Sequence, residues 1–143
     1  MSSRRRSREV ALQALYQLEM AGTSPAEGLP LLAEHFEADM ADLAFARELA
    51  EGAAGRLPEL DRLIEESSEH WSLGRMARVD LAILRLAAYE LLARPDIPVS
   101  VTLNEAIELG KRYGTQETAP FLNGVLDRIA RRLSRAPEDG RRA

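Results

Sequence analysis

MARVDLAILRLAAYELL, residues 76–92, is apolar on two sides of a helix at once. Val79, Ala82, Ile83 and Leu86 recur at steps of three and four and form one stripe, while Leu81, Leu84, Ala88 and Leu91 form another. A surface helix carries one apolar stripe, so a helix with two is enclosed by neighbours and belongs at the centre of a helical body. Arg85 falls inside this stretch. An unpaired buried charge is costly, and a carboxylate partner is expected for it, with Glu105 and Glu108 as candidates.

Working outward, Pro95 and Pro98 break the chain after this helix. A further helix is expected from about Ser100 to Gly114, with Gly114 as a left-handed C′ residue. Thr118 is the expected cap of a last helix with Pro120 in its first turn and Leu122, Val125, Leu126, Ile129 and Leu133 as its stripe. Upstream, a helix follows Pro58 with Leu60, Leu63 and Ile64 inward, and another carries Leu43, Ala46, Leu49, Ala50 and Ala53 to a stop near Gly55. Ser24 and Pro25 are an N-cap and a proline at the first helical position for a helix reaching about Glu37. The first helix is expected from about Ser3 to Ala21, with Ala11, Ala14, Leu15 and Leu18 buried and Gly22 as its stop. No alternation of apolar and polar residues with β-branched enrichment is present, so strands are not expected. The fold class is therefore all-α: seven helices, three in an N-terminal half (about 1–56) packed on four in a C-terminal half (57–136). Residues 137–143 read as a disordered tail without an apolar anchor.

The 143 residues have the length of one domain. No cysteine is present, which excludes disulfides, thiolate metal sites and a cysteine nucleophile, and suits a reducing cytoplasm. The opening MSSRRRSREVALQALYQ has no unbroken apolar run of the kind a secretory signal needs, and nowhere do about 20 apolar residues follow one another to span a bilayer. The chain carries a net charge of -4, but the charge is segregated. Residues 1–20 hold four arginines against two glutamates, residues 21–70 three arginines against twelve acids, and residues 71–143 twelve bases against nine acids. Binding to a polyanion would have to use the chain's two ends.

Catalytic equipment is not visible. There is no GxxxxGK[ST] or GxGxxG loop for phosphates and no HExxH pair for zinc. His35 and His70 lie far apart, each among carboxylates, and read as exposed helix residues. Acidic pairs such as Glu65 and Glu66 fall on a solvated face, where nothing raises a carboxyl pKa for acid–base work. No cofactor, metal site or catalytic residue is expected.

Arg4, Arg5, Arg6 and Arg8 open a helix whose apolar stripe starts at Ala11, so its first turns should overhang the body. Guanidinium groups there can fork onto phosphate oxygens and stack on bases, which suits single-stranded RNA. Tyr16 lies eleven residues after Arg5, close to three helical turns, and offers a ring on nearly the same side. A solvated basic end explains the cluster as well on composition alone. Arg128, Arg131, Arg132 and Arg135 lie off the last apolar stripe, where the helix dipole alone accounts for them. Trp71, the single tryptophan, reads as packing at a joint between the halves.

Three stretches together resemble the NusB family: RRRSREVALQALYQLEM, VDLAILRLAAYEL and VTLNEAIELGKRYGTQETAPFLNGVLDRI. Their order and spacing match over nearly the whole chain, and NEAIELxKxYG followed by FxNGVLD is specific to this family and to a related domain of some ribosomal RNA methyltransferases. The resemblance implies a single RNA-binding domain over about 1–136. It further implies binding of single-stranded boxA RNA in nascent ribosomal RNA transcripts, jointly with the ribosomal protein NusE, in a complex that helps RNA polymerase resist premature termination. It assigns RNA contact to Arg4, Arg5, Arg6, Arg8, Tyr16, Glu117 and Phe121, and a NusE-facing position to Asp80. Pro120 departs from the family, which carries a polar residue before the aromatic.

Two other classes remain to be weighed. A methyltransferase's RNA-recognition domain needs a separate cofactor-binding fold, for which seven helices leave no room unless the chain is a piece of a longer one. A helical protein-interaction adaptor would leave the basic start incidental, and RNA affinity unchanged by arginine replacement separates it from an RNA binder.

Overall fold

The structure, a computed structural model, describes residues 3–69 and 71–133. Those residues form seven α-helices and one 3-10 turn, and no strand occurs among them. They divide between Leu57 and Pro58 into two compact units. The expected tail 137–143, His70 and Arg135 lie outside the described residues.

The first unit contains α1 (Ser3–Ala21), α2 (Pro25–His35) and α3 (Met40–Ala54), each packed on the other two. Gly22 ends α1 with φ +74°, in the left-handed region that glycine enters without a Cβ penalty. Ser24 and Glu27 form a reciprocal capping box ahead of α2, and Asp39 and Asp42 form one ahead of α3. α2 stops at His35, short of the expected Glu37. Glu37 instead takes φ +55°, with its N–H donating to Glu34 O and the Ala38 N–H donating to Ala33 O at 2.8 Å. These are the two bonds of a Schellman motif, with glutamate in the left-handed position usually given to glycine.

The second unit contains α4 (Leu57–Ser67) from its second residue onward, the 3-10 turn Leu73–Arg75, α5 (Arg78–Ala93), α6 (Val99–Tyr113) and α7 (Thr118–Arg132). α5 is the central helix read from its two stripes: Leu81 through Ala88 are all buried, with Glu90 and Leu91, and α6 and α7 pack against it. Arg85 is only 8% exposed. Asp61 on α4, which the sequence reading did not name, is a partner: Arg85 Nε donates to Oδ1 at 2.8 Å and a terminal nitrogen to Oδ2 at 2.9 Å. Asp61 follows Leu60 and precedes Ile64, both buried, so it continues the inward face of α4.

The α6–α7 connection also departs from expectation. Gly114 has φ -104° and ψ -158°, extended rather than left-handed. Glycine is required for a different reason: a Cβ at this position would collide with the side chain of Thr118. Gly110 permits the same closeness one turn earlier, where a Cβ would lie 2.8 Å from Leu122 Cδ1. Thr118 is the first residue of α7 rather than its cap, because its hydroxyl is committed elsewhere.

Candidate nucleic-acid interface

In the first unit the basic cluster occupies the opening turns of α1, and those turns do not overhang. Stepping back from Ala11 by three and four reaches Arg8 and Ser7, and both are buried. Ser7 Oγ donates to Asp42 O at 2.8 Å. Arg8 is 5% exposed, with its guanidinium carbon 5.6 Å from the Phe45 ring centroid, and that of Arg4 lies 4.3 Å from the same centroid. Two cations thus share one ring, each cation–π contact being worth about 0.5–2 kcal/mol. Arg6 is half-buried and donates to Glu37 O at 3.2 Å, satisfying a carbonyl at the left-handed cap of α2. Arg4 and Arg5 are exposed. Tyr16 is half-buried farther along the same helix. The helical face reading identified the cluster, but not that its two sides differ: Arg8 belongs to the packed side, and Arg4 and Arg5 to the surface.

In the second unit, Asp80, Glu117 and Phe121 come together although they lie on different elements. With Trp71, Arg75, Met76 and Ala77 they line an open depression of about 310 Å³. Asp80, in the first turn of α5, accepts a hydrogen bond at 2.9 Å from Thr118 Oγ1. Thr118 Oγ1 in turn accepts from the Thr115 N–H at 3.0 Å, and Thr115 Oγ1 donates to Glu117 Oε1 at 3.1 Å. This chain of bonds sets the turn that carries Glu117 against the start of α5. Burial pushes the Asp80 carboxyl above the ordinary carboxylate range, and the Thr118 hydrogen bond opposes part of that rise. Arg78 closes the preceding loop by donating to Leu73 O at 2.6 Å and Met76 O at 2.7 Å.

Trp71 is not the packing residue expected of it. It is 48% exposed, and the Arg75 guanidinium carbon sits 5.3 Å from its ring centroid. The available signal was an aromatic followed four residues later by arginine in WSLGR, ahead of the central helix. Among the C-terminal arginines, Arg128 Nε donates to Ser67 O at 2.6 Å and Arg132 donates to Glu66 O at 3.0 Å. They close the carbonyl end of α4, and Arg131 pairs with Asp127 within α7. His35 is exposed, with its ring edge-to-face against Phe36 at 5.1 Å. Among the described residues no group of three or more histidines and carboxylates is placed to hold a metal ion, and no helix is long and apolar enough to cross a membrane.

Seven helices presenting a cationic helix start and an aromatic-lined depression define a helical binding protein. The sequence profile of the NusB family matches residues 5–131. The chain is 49% identical to the transcription antitermination protein NusB of Myxococcus xanthus over 139 residues, which is 94% of this chain and 99% of that protein. It is 47% identical to the NusB of Desulfitobacterium hafniense strain DSM 10664 / DCB-2, over 96% of this chain and 95% of that one. Among solved structures it is similar to T. maritima NusB, with TM-score 0.78 and 43% identity over 90% of each chain. It is also similar to a chain in the crystal structure of antitermination factors NusB and NusE in complex with dsRNA, with TM-score 0.85 and 26% identity over 92% of this chain and 98% of that one. The chain belongs to the NusB family of transcription antitermination proteins, a non-enzymatic class.

Proposed function

We propose that this protein binds single-stranded boxA RNA in nascent ribosomal RNA transcripts together with NusE, and so takes part in the cytoplasmic antitermination complex of RNA polymerase. Its two units act as one RNA-binding domain over about 1–136. The observation that carries this reading is the exposed pair Arg4 and Arg5 at the start of α1, with Arg6 beside them, in a segment of net positive charge on an acidic chain. Exposed guanidinium groups at a helix N-terminus gain from a polyanion twice, through phosphate contact and through relief of an unfavourable dipole interaction. Arg8, held against Phe45, supports this edge from behind. Tyr16 offers ring surface to a base, Phe121 packs against RNA on the second unit, and Glu117 repels phosphate and moderates affinity. Asp80 faces NusE at the margin of the same depression. The likeness to a NusB solved with NusE and RNA supports the partner assignment.

Titration of labelled boxA RNA across a salt series tests the reading. Three arginines neutralising phosphates give a slope of log affinity against log salt of about -2, taking roughly 0.7 per contact on a single strand. Addition of NusE tightens binding. Arg4→Ala with Arg5→Ala makes the slope shallower by about 1.4. Unchanged affinity in that double variant would instead make the chain a protein adaptor with an incidental basic start.

A further inference from the structure

Arg75 lines the same depression as the carboxylates of Asp80 and Glu117, yet the contact that holds its guanidinium is the face of Trp71. Half-exposed tryptophan is unusual, because so large a ring gains most from burial. Phe121 lines the depression as a second aromatic surface. The depression therefore combines two rings, two carboxylates and one cation, and its volume is ample for a planar heterocycle.

These groups select their occupant. A phosphate is repelled by Asp80 and Glu117. An apolar side chain from a protein would bury those carboxylates without supplying donors, which is costly. An unpaired base brings a π face for the rings and amino or imino N–H groups for the Asp80 carboxyl, while its attached phosphate meets the guanidinium of Arg75. We propose that Trp71 and Arg75 form a further RNA subsite: the ring of Trp71 stacks on one unpaired amino-bearing base and Arg75 takes the phosphate joined to it. The subsite rests on the RNA-binding reading above and adds to it a second cationic contact, on the unit that does not carry Arg4 and Arg5.

Trp71 is the chain's only tryptophan, so its emission reports occupancy of this place alone. The experiment titrates the full chain with fluorescein-labelled single-stranded boxA RNA, following RNA anisotropy and Trp71 emission together, for the parent and for Arg75→Gln. The subsite predicts quenching that saturates with the anisotropy. It also predicts that Arg75→Gln weakens binding roughly three- to tenfold and makes the salt slope shallower by about 0.7. Arg75 is exposed on a 3-10 turn, and circular dichroism confirms that the variant keeps its helices. RNA binding with neither Trp71 emission nor the Arg75→Gln slope altered overturns the subsite and leaves the broader reading standing. Emission that changes with NusE alone, and not with RNA, overturns it in favour of a protein-docking depression. If the RNA anisotropy itself does not rise, the broader reading fails and the subsite with it.

Discussion

Arg8 and its neighbours show how much one helical step decides. Arg4 and Arg5 are exposed, whereas Arg8, on the same stretch of chain, is buried over Phe45. Arg8→Ala is accordingly expected to lower stability in urea by about 2 kcal/mol, through lost packing and the cation–π contact. Arg5→Ala should change stability by less than about 0.5 kcal/mol while weakening RNA binding. A stability loss shared equally by the two variants would show that burial does not distinguish them. Asp80 makes a second residue-scale case. Its pKa is raised in the folded state, so the favourable contribution is fully present below the unfolded value of 3.8 and is lost as pH rises through the folded value. Near neutral pH the ionised, desolvated carboxylate is a burden. Asp80→Asn, which still accepts from Thr118, should be at least as stable as the parent at pH 7, with the advantage shrinking as pH falls toward 4. Denaturation curves at the two pH values check this, and an advantage that grows on acidification would refute the sign. At the same depression, Glu117→Gln should strengthen RNA binding modestly by removing one repulsive charge, and weaker binding would mean that Glu117 orients a base or an arginine.

At the scale of elements, the joints depend on polar groups inserted among apolar ones. α5 is nearly all apolar on its buried faces, but it is tied to α4 through the forked pair of Arg85 with Asp61. Asp61→Ala leaves a guanidinium in a site 92% buried and should cost about 3 kcal/mol. Replacing both members of the fork by Met and Leu should recover part of the loss, because the desolvation penalty of those two groups disappears together with their attraction. Urea midpoints of the single and double variants measure the difference, and a double variant as unstable as the single one would argue against the assignment. The same logic governs the α6–α7 turn, where Gly114 exists to admit Thr118. Both the Asp61 pairing and the Thr118 bonds join residues on different elements: Arg85 and Asp61 are 24 apart in sequence, Thr118 and Asp80 are 38 apart. Periodicity identifies which face a residue shares, but it does not say which face of which helix comes opposite.

For the whole molecule, net charge is a poor guide to binding. The chain is at -4, and if total charge governed its approach to RNA, added salt would strengthen binding by screening repulsion. The segregation of arginines at α1 against an acidic middle predicts the reverse, affinity falling as salt rises, because counterions are released locally where the cations meet phosphate. A rising affinity in the salt series would assign control to the acidic middle. The sequence by itself determined the all-helical class, the seven helices, the central place of α5, the stop at Gly22, the cap at Ser24 and the family, because each of these rests on short-range spacing or on the identity of a few consecutive residues. Tertiary structure alone decided that Arg8 is packed while Arg5 is exposed, that Asp61 meets Arg85, and that Asp80, Glu117, Phe121, Trp71 and Arg75 surround one depression. The physical reason is that burial and partner choice depend on how helices lie against one another, and side chains tens of residues apart carry no local signal of their meeting.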